Sequence, residues 1–298
     1  MINQRFLAPC LAAMMAFSAS AQVYISEIAV NVPGGDTGYE FWELRGTPGL
    51  SLAGYYLMSL EGQGTTGKGD INQFFDLGAY SLGANGYLVG VQNNTPYTIA
   101  PGATVVKETT QDGWGLAGNS IGYSTDSTTS SDMENSATGI LLVRVASGGT
   151  APSVTLDLDT DTDGLLDLPE GWTVVDSVGL LDSVSAVEAD RAYGAITFRN
   201  GTVGTNMLGN VFTISTETAT SLYVARKGET TGSTDADWLG AALTGSAGNF
   251  SILRSTEPGA VWVPISDFVL GGPPVPEPST LALFGCAAAL LFLRRKQA

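Results

Sequence analysis

The stretch Glu40-Phe41-Trp42-Glu43-Leu44, followed after a short gap by Leu50-Ser51-Leu52-Ala53-Gly54-Tyr55, sets the reading of the fold. Bulky residues are mixed there with small or charged ones over only a few positions, and Gly54 interrupts the second run. Such runs suit a half-buried strand and are too short for a helix of three turns. Ile25, Phe41, Leu44 and Leu52 are expected to supply inward faces, and Gly54 to turn the chain. Further on, Asn85-Gly86 can take the positive φ that a tight turn needs.

Working outward, the same texture continues. The strands expected are Val23–Val30, Tyr39–Leu44, Tyr55–Leu60, Gln73–Leu77, Gly86–Val91, Ile140–Val145, Ser153–Leu158, Thr173–Val178, Ala195–Arg199, Ser221–Arg226 and Ala260–Val269. Glycine makes up 38 of 298 residues, nearly twice the usual share of roughly 7%. No stretch of the body shows a helical period over three turns. The fold class expected is therefore all-β, a sandwich.

Four blocks carry a resemblance to a known family: Ile25-Ser26-Glu27-Ile28, Glu40 to Leu44, Leu50 to Tyr55, and Leu82-Gly83-Ala84-Asn85-Gly86-Tyr87-Leu88-Val89. In this order they resemble the lamin-tail domain, an immunoglobulin-like β-sandwich. Ser221 to Arg226 and Thr234-Asp235-Ala236-Asp237-Trp238 look like that family's closing strand and following loop. The resemblance implies one enlarged domain over 22–268 with an acidic loop at 157–170; a separate second sandwich after about residue 150 is the competing arrangement. It implies a binding and scaffold module and transfers no catalytic residue.

The two ends read as addresses. Arg5, the apolar stretch Phe6 to Phe17 and the small residues Ala19-Ser20-Ala21 form a secretory signal peptide over 1–21, with cleavage after Ala21. A linker over 269–275 leads to Pro276-Glu277-Pro278, an apolar run from Thr280 to Leu293, and Arg294-Arg295-Lys296. As a helix that run would reach only about 21 Å at roughly 1.5 Å per residue. It is a short transmembrane segment beside a hydrocarbon core of about 30 Å. Its basic end belongs on the cytoplasmic side. The tail, 276–298, resembles the PEP-CTERM sorting signal of exported bacterial proteins. That resemblance implies an exosortase-type processing enzyme as partner, initial anchoring in the inner membrane, a destination at the cell surface or beyond, and a link to exopolysaccharide.

Composition narrows the chemistry. Four of the 13 basic residues lie in the terminal segments, as does one of the 29 acidic ones, so the body carries nine against 28 and a net charge near −19. A body so acidic should repel nucleic acid and anionic lipid, leaving the tail as its contact with membrane. The chain has no histidine, and its two cysteines, Cys10 and Cys286, lie in the terminal segments. This excludes a Ser-His-Asp triad, a cysteine nucleophile and zinc held by imidazole or thiolate in the body.

The acidic loop Asp159-Thr160-Asp161-Thr162-Asp163-Gly164-Leu165-Leu166-Asp167-Leu168-Pro169-Glu170 fits the twelve-residue calcium template. Asp159, Asp161 and Asp163 take positions 1, 3 and 5, and Gly164 the turn. The carbonyl of Leu165, Asp167 and the bidentate Glu170 complete the set, with Asp157 as a further ligand outside the template. Alternate carboxylates face one concavity, and an all-oxygen cage suits Ca2+. The bland alternative is a solvated acidic turn.

Other residues invite a functional reading. Glu27, Glu40 and Glu43 are the carboxylates a polysaccharide hydrolase could use, against a reading as sheet-face charges. Asp176, Asp182 and Asp190 read as turn caps or distant metal partners. Trp42, Trp114, Trp172, Trp238 and Trp262 read as packing, or as a carbohydrate-stacking face. The function expected is non-enzymatic: a structural or adhesive element of the envelope or matrix. The alternatives are a carboxylate-based hydrolase and a calcium-dependent carbohydrate-binding module, which would expose aromatic rings beside 159–170.

Overall fold

A computed structural model describes residues 22–33, 37–63, 66–109, 112–114, 122–124, 130–133, 137–181, 190–200, 210–215, 222–246, 249–253 and 262–273. In chain order the strands are β1 (Val23–Val30), β2 (Phe41–Gly46), β3 (Tyr55–Glu61), β4 (Ile71–Asp76), β5 (Tyr87–Val91), β6 (Thr98–Ile99), β7 (Thr104–Lys107), β8 (Asp112–Gly113), β9 (Gly122–Ser124) and β10 (Ser130–Ser131). They continue as β11 (Thr138–Val145), β12 (Trp172–Leu181), β13 (Ile196–Asn200), β14 (Asn210–Ser215), β15 (Leu222–Arg226), β16 (Trp238–Ala242), β17 (Thr244–Ser246), β18 (Asn249–Leu253), β19 (Trp262–Pro264) and β20 (Val269–Leu270). Among the described residues the helical content is one 3-10 turn, Ile265–Asp267.

Two large sheets form the body, one of six strands in the order β16-β15-β1-β2-β5-β7 and one of seven in the order β14-β13-β12-β11-β3-β4-β9. Their facing sides enclose one core, with Val23, Ile25, Ile28, Trp42, Leu44 and Val224 from the first sheet. Leu57, Phe75, Ile140, Leu142, Val178, Leu180, Ile196 and Phe198 come from the second. The chain is thus all-β and sandwich-like. Strands from before and after residue 150 share both sheets: β1 lies between β2 and β15, and β11 between β3 and β12. Pairing is antiparallel at the centre and parallel at β5–β7, β12–β13 and β13–β14.

Period two explains which side chains enter this core. Trp42 and Leu44 point inward together, whereas Phe41 lies on the outer face of the same sheet. The expectation that Phe41 shares a face with Leu44 is therefore corrected, since residues three apart in a regular strand face opposite ways. Ile25 and Ile28 are also three apart, yet both point inward, because the β1–β2 register shifts by a bulge between Ile25 and Glu27. One extra residue restores the phase. Gly54 and Gly86 take φ of 79° and 86°, as their turns require.

Both outer faces are covered, which makes Phe41 to Arg45 buried without a break. Over the six-stranded sheet lie Tyr97, Leu243, Ile252, Ile265, Phe268 and Leu270, packed on Ala29, Phe41, Val89, Val91, Tyr223 and Ala225. Over the seven-stranded sheet lie Leu158 and Tyr193, packed with Trp172 of β12 on Met58, Leu60, Ile71, Phe74, Leu141, Val143 and Val145.

Two expected strands differ. Ser153–Leu158 is not a strand: Pro152 precedes it, and Thr155 takes a φ of 63° that breaks an extended run. Its alternation still has a meaning, because Val154, Leu156 and Leu158 face the outer side of the seven-stranded sheet. Of the strand expected over Ala260–Val269, residues 260–261 lie outside the described residues, and the rest resolves into β19, the 3-10 turn and the start of β20. The stretch expected as a linker, 269–275, begins inside the body. Leu270 is fully buried and β20 pairs in parallel with β6. The Gly271 N–H donates to Glu43 Oε2 at 2.5 Å, and Asn85 Nδ2 donates to the Gly271 carbonyl at 2.9 Å.

An acidic loop as candidate metal centre

The loop from 159 to 170 is held by leucines at both ends. Leu156 and Leu158 before the aspartates, and Leu166 and Leu168 after them, belong to the outer cluster on the seven-stranded sheet. The backbone joins the start of β4: Ile71 N–H donates to the Leu156 carbonyl at 2.9 Å, and Leu158 N–H to the Gly69 carbonyl at 3.0 Å. Gly69 is required there twice over. Its φ is +88°, and a Cβ would stand 2.6 Å from Asp159 Cβ.

Asp159 is fully buried. Its Oδ2 accepts from Gly164 N–H at 3.0 Å and from the Tyr193 hydroxyl at 2.8 Å. Its Oδ1 is buried with no hydrogen-bond partner. Asp161 and Asp163 are exposed. Asp161 Oδ1 accepts from Asp163 N–H at 3.3 Å, and Asp163 Oδ1 from Leu165 N–H at 2.7 Å. One carboxylate oxygen from each of Asp159, Asp161 and Asp163 lies within 4.8 Å of the others.

The expected carboxylate ligands Asp167 and Glu170 are not part of this group. Asp167 turns its Oδ2 to Thr160, accepting from the amide at 3.0 Å and from the hydroxyl at 2.5 Å. Glu170 is exposed in the turn before β12, where Gly171 takes a φ of 83°. In the twelve-residue template an exiting helix returns position 12 to the ion. Here Pro169 and a turn lead straight into a strand. Leu165 is 59% exposed. Asp157 Oδ1 accepts from Asp159 N–H at 2.8 Å and so braces the loop from outside the group.

Burial comes first in the electrostatics of the site, and neighbouring carboxylates add to it. Burial, and then the charge of Asp157, push the Asp70 carboxyl above its usual range. Burial also raises the Tyr193 phenol, reinforced by its hydrogen bond to Asp159 and that residue's charge, while Arg191 pulls the other way. Arg191 reaches the Thr162 carbonyl at 3.5 Å. Tyr193 and Gly69 are the site residues that sequence reading missed. Nothing local marks a tyrosine 34 positions downstream of Asp159.

The other candidates serve the interior. Glu27 and Glu43 face each other across β1–β2, fully buried beneath the C-terminal segment, and Glu27 Oε2 accepts from the Tyr223 hydroxyl at 2.6 Å. Glu40, also fully buried, lies elsewhere. It accepts from Trp114 Nε1 at 2.8 Å, Met133 N–H at 2.7 Å and Gln92 Nε2 at 3.2 Å. Asp176 is no turn cap. It sits within β12 and pairs with Arg226 of β15, NH2 to Oδ2, at 2.7 Å. Asp190 is buried. Trp42, Trp114 and Trp238 fill the core between the sheets, and Trp172 the outer cluster. Beside the acidic loop, Trp172 and Tyr193 are only 7% and 4% exposed, so neither offers a stacking face.

Residues 274–296 match the PEP-CTERM protein-sorting motif. The match takes in Pro276, Glu277, Pro278 and Arg294 to Lys296, and implies export through an exosortase-type system with a membrane-associated sorting segment at the C-terminus. These residues lie outside the described part of the structure, as do Ala19 and Ala21 of the leader, Asp182 and the side chain of Trp262. Among the described residues no helix is long and apolar enough to cross a membrane. Comparison with curated proteins and with solved structures returns no match.

Proposed function

We propose that this chain is a non-catalytic, surface-associated protein with structural or adhesive work in the cell envelope or extracellular matrix. A leader over 1–21 starts export. The tail holds the protein in the inner membrane until an exosortase-type enzyme processes it, and the body is a lamin-tail-like scaffold that meets exopolysaccharide. The observation that carries this reading is the sorting motif at 274–296 on an all-β body. Further support comes from the fate of the carboxylates. Glu27, Glu40 and Glu43, the residues a hydrolase would need at its surface, are fully buried and bonded to the fold.

The test is expression of the full chain in a host with an exosortase system, with the body tracked by fractionation and reducing ends assayed on matrix polysaccharide. The body should reach the outer fractions only with the tail intact, and no sugar should be released. Release that disappears in Glu27→Gln/Glu43→Gln would overturn the non-catalytic reading. A body that reaches the outside equally well without residues 276–298 would overturn the sorting route.

A further inference from the structure

We propose that Asp159, Asp161 and Asp163 hold one calcium ion, which locks the acidic loop onto the outer face of the seven-stranded sheet. Two independent observations meet here. Three carboxylates gather oxygens within 4.8 Å of one another. One of them, Asp159, is fully buried and keeps an oxygen, Oδ1, without a hydrogen-bond partner, while its Oδ2 is committed to Gly164 and Tyr193. A buried carboxylate oxygen without a donor is costly unless a cation meets it.

The donor set chooses the ion class. All three side chains offer oxygen, which suits a hard cation. Asp161 and Asp163 are exposed, leaving room for water to complete the six to eight ligands that calcium takes. Magnesium demands near-ideal octahedral geometry and releases water reluctantly, so a loop of this kind favours calcium. The ligand set is smaller than the twelve-residue template, since Asp167 is bonded to Thr160 and Glu170 lies outside the group.

Position gives the ion its role. Asp159 is tied to Tyr193 through its carboxylate and to Asp157 through its own N–H, and its neighbour Leu158 is tied to Gly69, so an ion there joins three segments that cover one sheet face. Affinity should fall in the range of extracellular modules, about 10⁻⁴ to 10⁻³ M. With 2 mM calcium and a Kd of about 0.5 mM, linkage raises Tm by about 2–4 °C.

Calorimetric titration of the full chain with calcium chloride, and separately with magnesium chloride, tests the site. Melts in calcium and in chelator accompany it. One calcium per chain is expected, lost in Asp159→Asn and kept in Glu170→Gln. Because Asp159 is buried, the exposed pair Asp161→Asn/Asp163→Asn supplies a variant that folds. It should melt like the parent in chelator and gain nothing from calcium. Absence of binding heat in the parent, calcium binding that survives in the exposed pair, or magnesium bound as tightly as calcium would each overturn the proposal. Loss of binding in Glu170→Gln would overturn its ligand set. None of these outcomes depends on the sorting tail, so failure here leaves the export reading standing.

Discussion

Replacing Arg226 by methionine tests whether one buried ion pair pins the two sheets together. Arg226 on β15 and Asp176 on β12 belong to opposite sheets, and the arginine is fully buried. Its guanidinium donates from Nε to the Ile25 carbonyl at 2.9 Å, from NH1 to the Gly232 carbonyl at 2.6 Å and from NH2 to Asp176. It also lies 4.3 Å from the Trp238 ring centroid. Methionine keeps much of the volume and strands the Asp176 carboxylate. Breaking a buried pair by removing one partner costs about 3–5 kcal/mol. At about 2–4 °C per kcal/mol for a body of this size, Tm should fall by roughly 6–20 °C at neutral pH.

The same variant carries a pH signature. Burial holds the Asp176 carboxyl above its ordinary value, against the charge and hydrogen bond of Arg226 and the amides of Ile25 and Ser177. Without Arg226 that value climbs further. An acid whose pKa is raised on folding gives its stability in full below its unfolded value of about 3.9, and loses it as pH rises through the folded one. The deficit of Arg226→Met should therefore shrink toward acid and widen toward neutral pH. Adding Asp176→Asn should recover part of the loss at pH 7, because no charge is left buried. Urea unfolding of the parent, Arg226→Met and the double variant across pH 4–8 is the assay. A cost under about 1 kcal/mol at pH 7, an unchanged deficit at low pH, or no recovery in the double variant would refute the reasoning.

Three further outcomes are expected. Trp42→Ala empties a site packed against Phe75 and Trp114, with centroids at 5.2 and 6.3 Å, and should cost about 3–5 kcal/mol by chemical unfolding. Tyr193→Phe should lessen the loss of stability above pH 10. The raised phenol contributes below its ordinary pKa of about 10 and loses that contribution as pH climbs through its folded value; urea midpoints between pH 8 and 11 read the slope. Leu270→Asp puts a charge where the side chain is fully buried, and should make the chain around 262–273 the first point of cleavage in limited proteolysis, with β1 to β5 still intact.

Much of the sandwich was legible because each strand is short and ends at a turn. Val23–Val30 needed no more than its β-rich composition and the glycines and asparagine around it. What the sequence hides is burial on two sides. Phe41 to Arg45 reads as a half-buried strand, yet its outer side is covered by residues more than fifty positions away: Tyr97 and Phe268 on Phe41, Gly271 on Glu43, and Glu229 and Thr230 on Arg45. For the same reason Glu27 and Glu43 read as surface carboxylates while lying beneath a lid. The acidic loop was legible in its first half, where spacing alone gathers Asp159, Asp161 and Asp163. Its second half depends on the element that the chain enters next: a template that assumes a helix puts Glu170 on the ion, and β12 takes it away.

The docking of β20 has a mechanical consequence. Tension applied to the chain beyond residue 273 arrives first at Gly271 and Leu270. There it meets the amide bond to Glu43, the Asn85 contact and the two-residue pairing with β6. Next in line is the Phe268 ring, wedged between Phe41, Tyr97 and Tyr223. These contacts are few and lie in sequence, so a pull on the tail should open this small clasp before it parts any two strands of the sandwich. The clasp acts as a fuse, and the body behind it stays folded while it opens.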